Sequence, residues 1–332
     1  MDNVIVRIVQ DYEGPNLIRQ TPQGKGTWDG IYFTYDRVTE CDFMIVLRSQ
    51  MRNPISVICP QEHVWTIVQD PYVPGFNDWL VEGYEQFSRI YTHIAPSSSN
   101  SRYIKSQPAL PWYVNQSYDE LQVMQPPQKK KVLSWILGNQ REIPGHFKRL
   151  NFLDYIKNRG GITVDLFGRA NHYIADKAEG LVPYKYSLAI ENSNCPDYWT
   201  EKVADCFLCW TVPIYYGCTN LEEYFPAEAF IRIDITHPQE ALTRIKEVMD
   251  YDDWEKRLPA LKEARHLLLD KHQFFPYFSY QIKKELDNVK RPKAKIEIPV
   301  YRRSLGATMH HLVYKQKRFF WRLRYRCNQS CR

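Results

Sequence analysis

The chain's 332 residues, 44% hydrophobic, 14% aromatic and 25% charged, have the composition of a globular protein with room for two domains, which excludes a fibrous, low-complexity or disordered chain. A formal net charge of +6 is modest and no recognisable binding module accompanies it, so no nucleic-acid partner is expected. No apolar run approaches the roughly 18 residues that a bilayer-crossing helix requires.

The N-terminal Met1-Asp2-Asn3-Val4-Ile5-Val6 is strand-like and lacks the basic, apolar and cleavage stages of a secretory leader, so a cytoplasmic location is expected. Short β-rich runs at 4–10, 43–48, 55–59, 64–68 and 89–94 surround a helix-like segment at 77–87, predicting an α/β sheet domain over residues 1–125. Prolines and lysines between Gln122 and Lys131 mark a boundary. Beyond it, apolar runs at 132–137, 162–167, 188–190, 212–216 and 230–233 alternate with helical patterns at 144–158 and 197–208. Strands apolar on both faces with helices between them predict a parallel, doubly wound sheet over 126–290. Helical stretches at 238–249 and 253–286 are expected to cap it and cross back to the first domain. Open parallel sheets bind ligands at their carboxyl edges, so two such domains are expected to face a cleft.

The last segment, 291–332, carries no acid after Glu297 but holds Arg302, Arg303, Lys315, Lys317, Arg318, Arg322, Arg324, Arg326 and Arg332 among Tyr314, Phe319, Phe320, Trp321 and Tyr325. Such a stretch fits peripheral contact with an anionic membrane, or docking on the protein's own acidic surface, and charge alone leaves both open. The eight cysteines, Cys41, Cys59, Cys195, Cys206, Cys209, Cys218, Cys327 and Cys331, show no disulfide framework and read as reduced thiols. Cys206 and Cys209 have the spacing of half a zinc site, but no second pair completes it, and no metal is expected.

The chemistry concentrates in Tyr184-Lys185-Tyr186-Ser187-Leu188-Ala189-Ile190-Glu191-Asn192-Ser193, then Asp197-Tyr198-Trp199-Thr200-Glu201-Lys202, then Thr211-Val212-Pro213-Ile214-Tyr215-Tyr216-Gly217. A buried strand ends in polar Glu191-Asn192-Ser193, where a doubly wound sheet presents ligand-binding groups. Asp197 is the expected N-cap of the following helix. Lys202 near that helix's positive end does little for helix stability and suggests an anionic ligand such as a diphosphate. Glu201 suits sugar hydroxyls. No Gly-x-Gly-x-x-Gly or phosphate-loop pattern supports a dehydrogenase or kinase.

This run resembles the donor-binding motif of the α-1,3/4-fucosyltransferases, glycosyltransferase family 10: Tyr184, Lys185, Glu191, Asn192, Ser193, Tyr198, Thr200, Glu201, Lys202, Pro213 and Gly217 fall at the family's spacing. Asp165-Leu166-Phe167-Gly168-Arg169 is also similar to a family stretch, whereas residues before the linker match weakly. The resemblance implies a GT-B enzyme of two Rossmann-like domains. In that reading Glu201 holds the donor ribose, Lys202 a phosphate, and Asn192, Ser193 and Tyr198 the diphosphate or sugar. Arg149, heading a helix, becomes the second phosphate cation, with Lys148 and Arg141 as competitors. Inverting transfer needs a general base, and by resemblance Glu62 takes that place, with Gln61 where the family has glycine and His63 and Asp70 as competitors.

The expected activity is transfer of L-fucose from GDP-fucose to a glycan hydroxyl with inversion, without a required cofactor or metal. The alternatives are another GDP- or UDP-sugar donor on the same fold, or a catalytically silent sugar-nucleotide or glycan-binding protein.

Overall fold

The computed structural model describes residues 4–48, 51–94, 100–169, 171–286 and 291–330. In chain order the strands are β1 (Val4–Gln10), β2 (Thr27–Trp28), β3 (Ile31–Thr34), β4 (Phe43–Leu47), β5 (Ile55–Cys59), β6 (Val64–Ile67), β7 (Arg89–Thr92), β8 (Tyr103–Lys105), β9 (Lys131–Ile136), β10 (Asp165–Phe167), β11 (Tyr184–Ile190), β12 (Val212–Tyr216), β13 (Ile231–Arg232) and β14 (Ala294–Ile298). The α-helices are α1 (Tyr118–Val123), α2 (Pro144–Arg159), α3 (Glu201–Leu208), α4 (Pro238–Tyr251), α5 (Leu258–Leu267), α6 (Phe274–Glu285) and α7 (Leu305–Ser330).

The chain forms two compact units, one of residues 1–111, 117–119 and 271–316, the other of 112–116, 120–270 and 317–332. The first holds a seven-stranded sheet in the order β2-β3-β1-β4-β6-β7-β8, parallel apart from β2. Its central strand β4, Phe-Met-Ile-Val-Leu, is buried along its whole length, as a parallel strand covered on both faces must be. Because the parallel strands share a direction, Asp11, Tyr35, Arg48 and the Val68–Asp70 segment all follow strand ends on the carboxyl edge. Residues 61–63 precede β6 and lie on the amino edge.

The expected 1–125 boundary separates the two sheets, but residues 271–316 return to the first unit. The reason is apolar: Phe274, Phe275 and Phe278 of α6 are buried against Phe33 and Tyr91, and β14 pairs antiparallel with β5. The helix expected at 77–87 shrinks to a turn at Asp78–Leu80. There Asn77 Oδ1 accepts from Val73 N at 2.7 Å and Asp78 Oδ1 from Gly75 N at 2.7 Å, side-chain bonds that compete with helix.

The second unit holds the expected parallel sheet, in the order β10-β9-β11-β12-β13. Chain order reverses between β9 and β11, which makes their carboxyl ends the topological switch point, where ligands bind in such sheets. Helices α2 and α3 begin there, after β9 and β11 respectively.

The basic tail is helical and docks on the protein. Within the first unit, His310 Nδ1 lies 3.1 Å from Asp78 Oδ2 and Tyr314 packs on Phe76. Within the second, Arg318 and Arg322 both pair with Glu142, and Trp321 and Tyr325 meet Phe147 edge-on. No helix among the described residues is long and apolar enough to cross a membrane. Cys41, Cys59, Cys195, Cys206, Cys209 and Cys218 are free thiols, whereas Cys331 and the Cys327 side chain lie outside the described residues, as do the Arg326 side chain and Arg332.

Candidate functional site

The switch point of the second unit is built around a buried carboxylate. Glu191, just past β11, is 1% exposed. Its Oε1 accepts from Thr200 N at 2.9 Å and Thr200 Oγ1 at 2.8 Å, and its Oε2 from Lys202 Nζ at 3.1 Å. Two glycines make room for this arrangement: a Cβ on Gly217 would overlap the Glu191 side chain, and one on Gly145 would overlap the Asn192 carbonyl. The first turn of α2 thereby sits directly on the Glu191-Asn192 backbone.

Helix α3 starts later than the sequence suggests. Its N-cap is Thr200, whose hydroxyl accepts from Lys202 N. Asp197 instead has a φ of 61°, and its Oδ1 accepts from Asn220 Nδ2 at 3.0 Å and Tyr224 Oη at 2.7 Å. Its carboxylate is spent on the 220–224 segment and cannot cap the helix.

Lys202 also reaches Thr200 Oγ1 at 3.0 Å and Glu201 Oε1 at 3.4 Å. Lys177 lies 3.6 Å from Glu201 and 2.9 Å from Asp205. Burial alone would raise the Glu201 carboxyl, but Lys202 and Lys177 outweigh it and hold it at about 2. Burial pushes Glu191 the other way, upward, against the pull of Lys202. Lys202 is therefore balanced internally by Glu191, a partner that sequence spacing gave no reason to pair with it.

Arg149, on α2, is 5% exposed, and its Nε has no hydrogen-bond partner among the described residues. Burial lowers its pKa while Glu191, Glu201 and Tyr198 support its charge. Of its competitors, Lys148 is exposed and lines a small cavity with Phe147 and Trp321, and Arg141 stacks on Tyr325. Asn192 Oδ1 is likewise buried without a partner. The structure therefore gathers Arg149, Asn192, Tyr198, Glu201 and Lys202 at one switch point. Ser193 is turned toward Cys195, with Oγ to Sγ at 3.5 Å. Unpartnered buried donors and acceptors beside two cations leave hydrogen-bonding capacity for an anionic, polar ligand. Cys206, by contrast, donates to the Lys202 carbonyl at 3.1 Å, and no metal-holding cluster of His, Cys, Asp or Glu occurs among the described residues.

In the first unit, Glu62 does not reach the carboxyl edge. It is an exposed residue of the turn Gln61–His63, on the opposite edge of the sheet. His63 is buried, stacked on Phe43, with its Nδ1 2.9 Å from the Asp42 carbonyl. Asp70 is the competitor that lies on the carboxyl edge. Arg48 donates to it through Nη2, to Oδ1 at 3.0 Å, with Nε in ion-pair contact 3.0 Å from Oδ2, and the Arg48 guanidinium stacks on Tyr12. Burial raises the Asp70 pKa, opposed by Arg48.

Two α/β units with parallel sheets have the GT-B fold. Solved structures agree on the fold. An α1,3-fucosyltransferase with GDP matches at TM-score 0.50 and 17% identity, covering 87% of this chain and 91% of that one. An α-glucosyltransferase bound to UDP and DNA matches at TM-score 0.51 and 11% identity, covering 86% and 99%. Residues 126–274 match the family described as glycosyltransferase family 10 (fucosyltransferase) C-term. Over 169 residues the chain is 31% identical to the 4-galactosyl-N-acetylglucosaminide 3-α-L-fucosyltransferases 9 of Bos taurus and Homo sapiens, covering 45% of each chain. It thus spans about half the length of these curated relatives.

Proposed function

We propose that the protein transfers L-fucose from GDP-fucose to a glycan hydroxyl with inversion at the anomeric carbon. The observation that carries this reading is the family 10 segment folded so that Arg149, Asn192, Glu201 and Lys202 meet at the switch point of the second unit. Arg149 and Lys202 stabilise the charge that develops on the leaving diphosphate, and Glu201, held ionised, accepts hydrogen bonds from the ribose.

The base in this account is Asp70 rather than Glu62. The acceptor oxygen attacks the fucose anomeric carbon, the bond to the diphosphate oxygen breaks with its electron pair leaving on GDP, and the acceptor proton passes to the Asp70 carboxylate. Its raised pKa favours proton uptake, and its hydrogen bond from Arg48 holds it in place. A cavity of about 600 Å³ in the same unit, lined by Gln10, Asp11, Tyr35, Arg37 and Asn53 among others, offers polar and aromatic groups of the kind that bind sugars. Tyr35, Gln10, Tyr12 and Gln69 join it to Asp70's segment through successive hydrogen bonds. The names of the relatives make a galactosyl-N-acetylglucosaminide the first acceptor to offer.

The test is GDP release from GDP-fucose with and without that acceptor, beside UDP-glucose and GDP-mannose. Acceptor-dependent turnover of GDP-fucose alone is the expected outcome; turnover of another donor in its place would keep the fold and overturn the sugar.

One further observation favours peripheral membrane contact. On α7 the exposed residues Leu305, Met309, Leu312, Val313, Phe319, Phe320 and Leu323 recur at helical spacing, between the exposed cations Lys315, Lys317 and Arg324. The docked side of the helix is a different one, so docking on the protein and contact with anionic lipid are compatible. Flotation with phosphatidylserine vesicles, equal for the full chain and for Phe319→Ser/Phe320→Ser, would reject it.

A further inference from the structure

Helix α2 begins with a histidine whose ring is fixed in one tautomer. The His146 Nδ1 lies 3.1 Å from Glu142 N and 3.4 Å from Ile143 N, both donating to it, while His146 N donates to the Ile143 carbonyl at 3.0 Å. Backbone amides can only donate, so Nδ1 carries no proton and the single ring proton of the neutral form sits on Nε2. No hydrogen bond from Nε2–H to a protein group occurs among the described residues, and Nε2 is not one of the buried unpartnered atoms, so it stays open to a ligand. Burial, then Arg149, then Lys202 hold the ring's pKa down at about 3, so it stays neutral throughout the physiological range.

The surroundings say what this donor faces. Arg149 follows His146 by three residues on α2 and so shares its face, and its Nε is itself buried and unpartnered. Gly145, between Pro144 and His146, is pressed against the Asn192 backbone, which ties this first helical turn to the polar end of β11.

We propose that His146 is a neutral hydrogen-bond donor to the diphosphate of the donor nucleotide, its Nε2–H acting beside the Arg149 and Lys202 cations. This inference rests on the donor-site reading above. A further charge at this position, without a carboxylate partner such as Lys177 has, would be repelled and costly to desolvate; a neutral N–H adds a directed bond without that cost. The capping bonds hold the ring so that the donor is oriented before the nucleotide arrives.

Two substitutions divide capping from donation, because Asn places its amide near the His Nδ1 position and Gln near Nε2. The experiment is calorimetric titration of GDP into the full-length wild type, His146→Asn and His146→Gln, with melting temperatures measured alongside. His146→Asn is expected to melt near the wild type yet bind GDP about tenfold or more weakly, the loss of one bond to a charged partner. His146→Gln is expected to melt lower while keeping most of the GDP affinity. Wild-type affinity in a folded His146→Asn would overturn the proposal, as would equal affinity losses that track lowered melting in both variants, the mark of a capping role only. Failure of the wild type to bind GDP would instead overturn the donor-site reading itself.

Discussion

The carboxyl edges of the two sheets are built in opposite ways. In the second unit, Lys177 and Lys202 are paired with Glu191, Glu201 and Asp205 in a partly to fully buried set, beside the buried Arg149. In the first, Asp70 pairs with Arg48, their side chains 29% and 31% exposed. A dense network fixes geometry before ligand arrives, as stabilising a leaving diphosphate requires. A single carboxylate tuned by partial burial and one arginine suits a group that must gain and lose a proton.

That contrast can be broken at several points. Asp70→Asn should lower turnover by about 10²- to 10⁴-fold with GDP affinity unchanged, whereas Glu62→Gln should leave both near wild type. The reverse pattern in a steady-state assay would return the base to the amino edge. Lys202→Ala should cost about 10²- to 10³-fold in turnover and weaken GDP binding as well, because it also leaves Glu191 buried without its counter-ion. Gly145→Ala should destabilise the protein by about 1–3 kcal/mol in chemical denaturation, the added methyl forcing α2 off the Asn192 backbone. A neutral result there would mean that the first turn of α2 is not fixed against β11.

The remaining effect concerns pH. The native state holds the His146 pKa at about 3, below the ordinary 6.5 or so of the unfolded chain. Between these values the unfolded state binds more protons, so this group's contribution to stability is complete above about pH 6.5 and falls as the pH drops toward 3, by at most about 1.4 kcal/mol per unit. His146→Asn, which does not titrate, should show a shallower loss across that window in urea titrations.

Legibility followed the same division. The strand end at Glu191 and the helix that follows it were readable because both lie within residues 184–217 and follow from local rules. Its internal counter-ion was not: Glu191 meets Lys202 only because Thr200 caps α3 and Gly217 leaves the space. Asp197 looked like the cap because its residue type is right, and only its bonds to Asn220 and Tyr224 show it employed elsewhere. His146 carried no sequence signal beyond lying three residues before Arg149. In the first unit, residue type could not tell Glu62 from Asp70, since the distinction is that Glu62 precedes β6 and Asp70 follows it. The return of 271–316 to that unit was partly legible in the helical pattern, but the pairing of β14 with β5 depends on contacts remote in sequence.

The most direct measurement is the melting temperature of the full chain with GDP, with UDP and with neither, for wild type and Lys202→Ala, since a ligand bound only to the native state must raise it. The account predicts stabilisation by GDP alone that vanishes in the variant; an equal rise with UDP, or a GDP response that survives in Lys202→Ala, would contradict it.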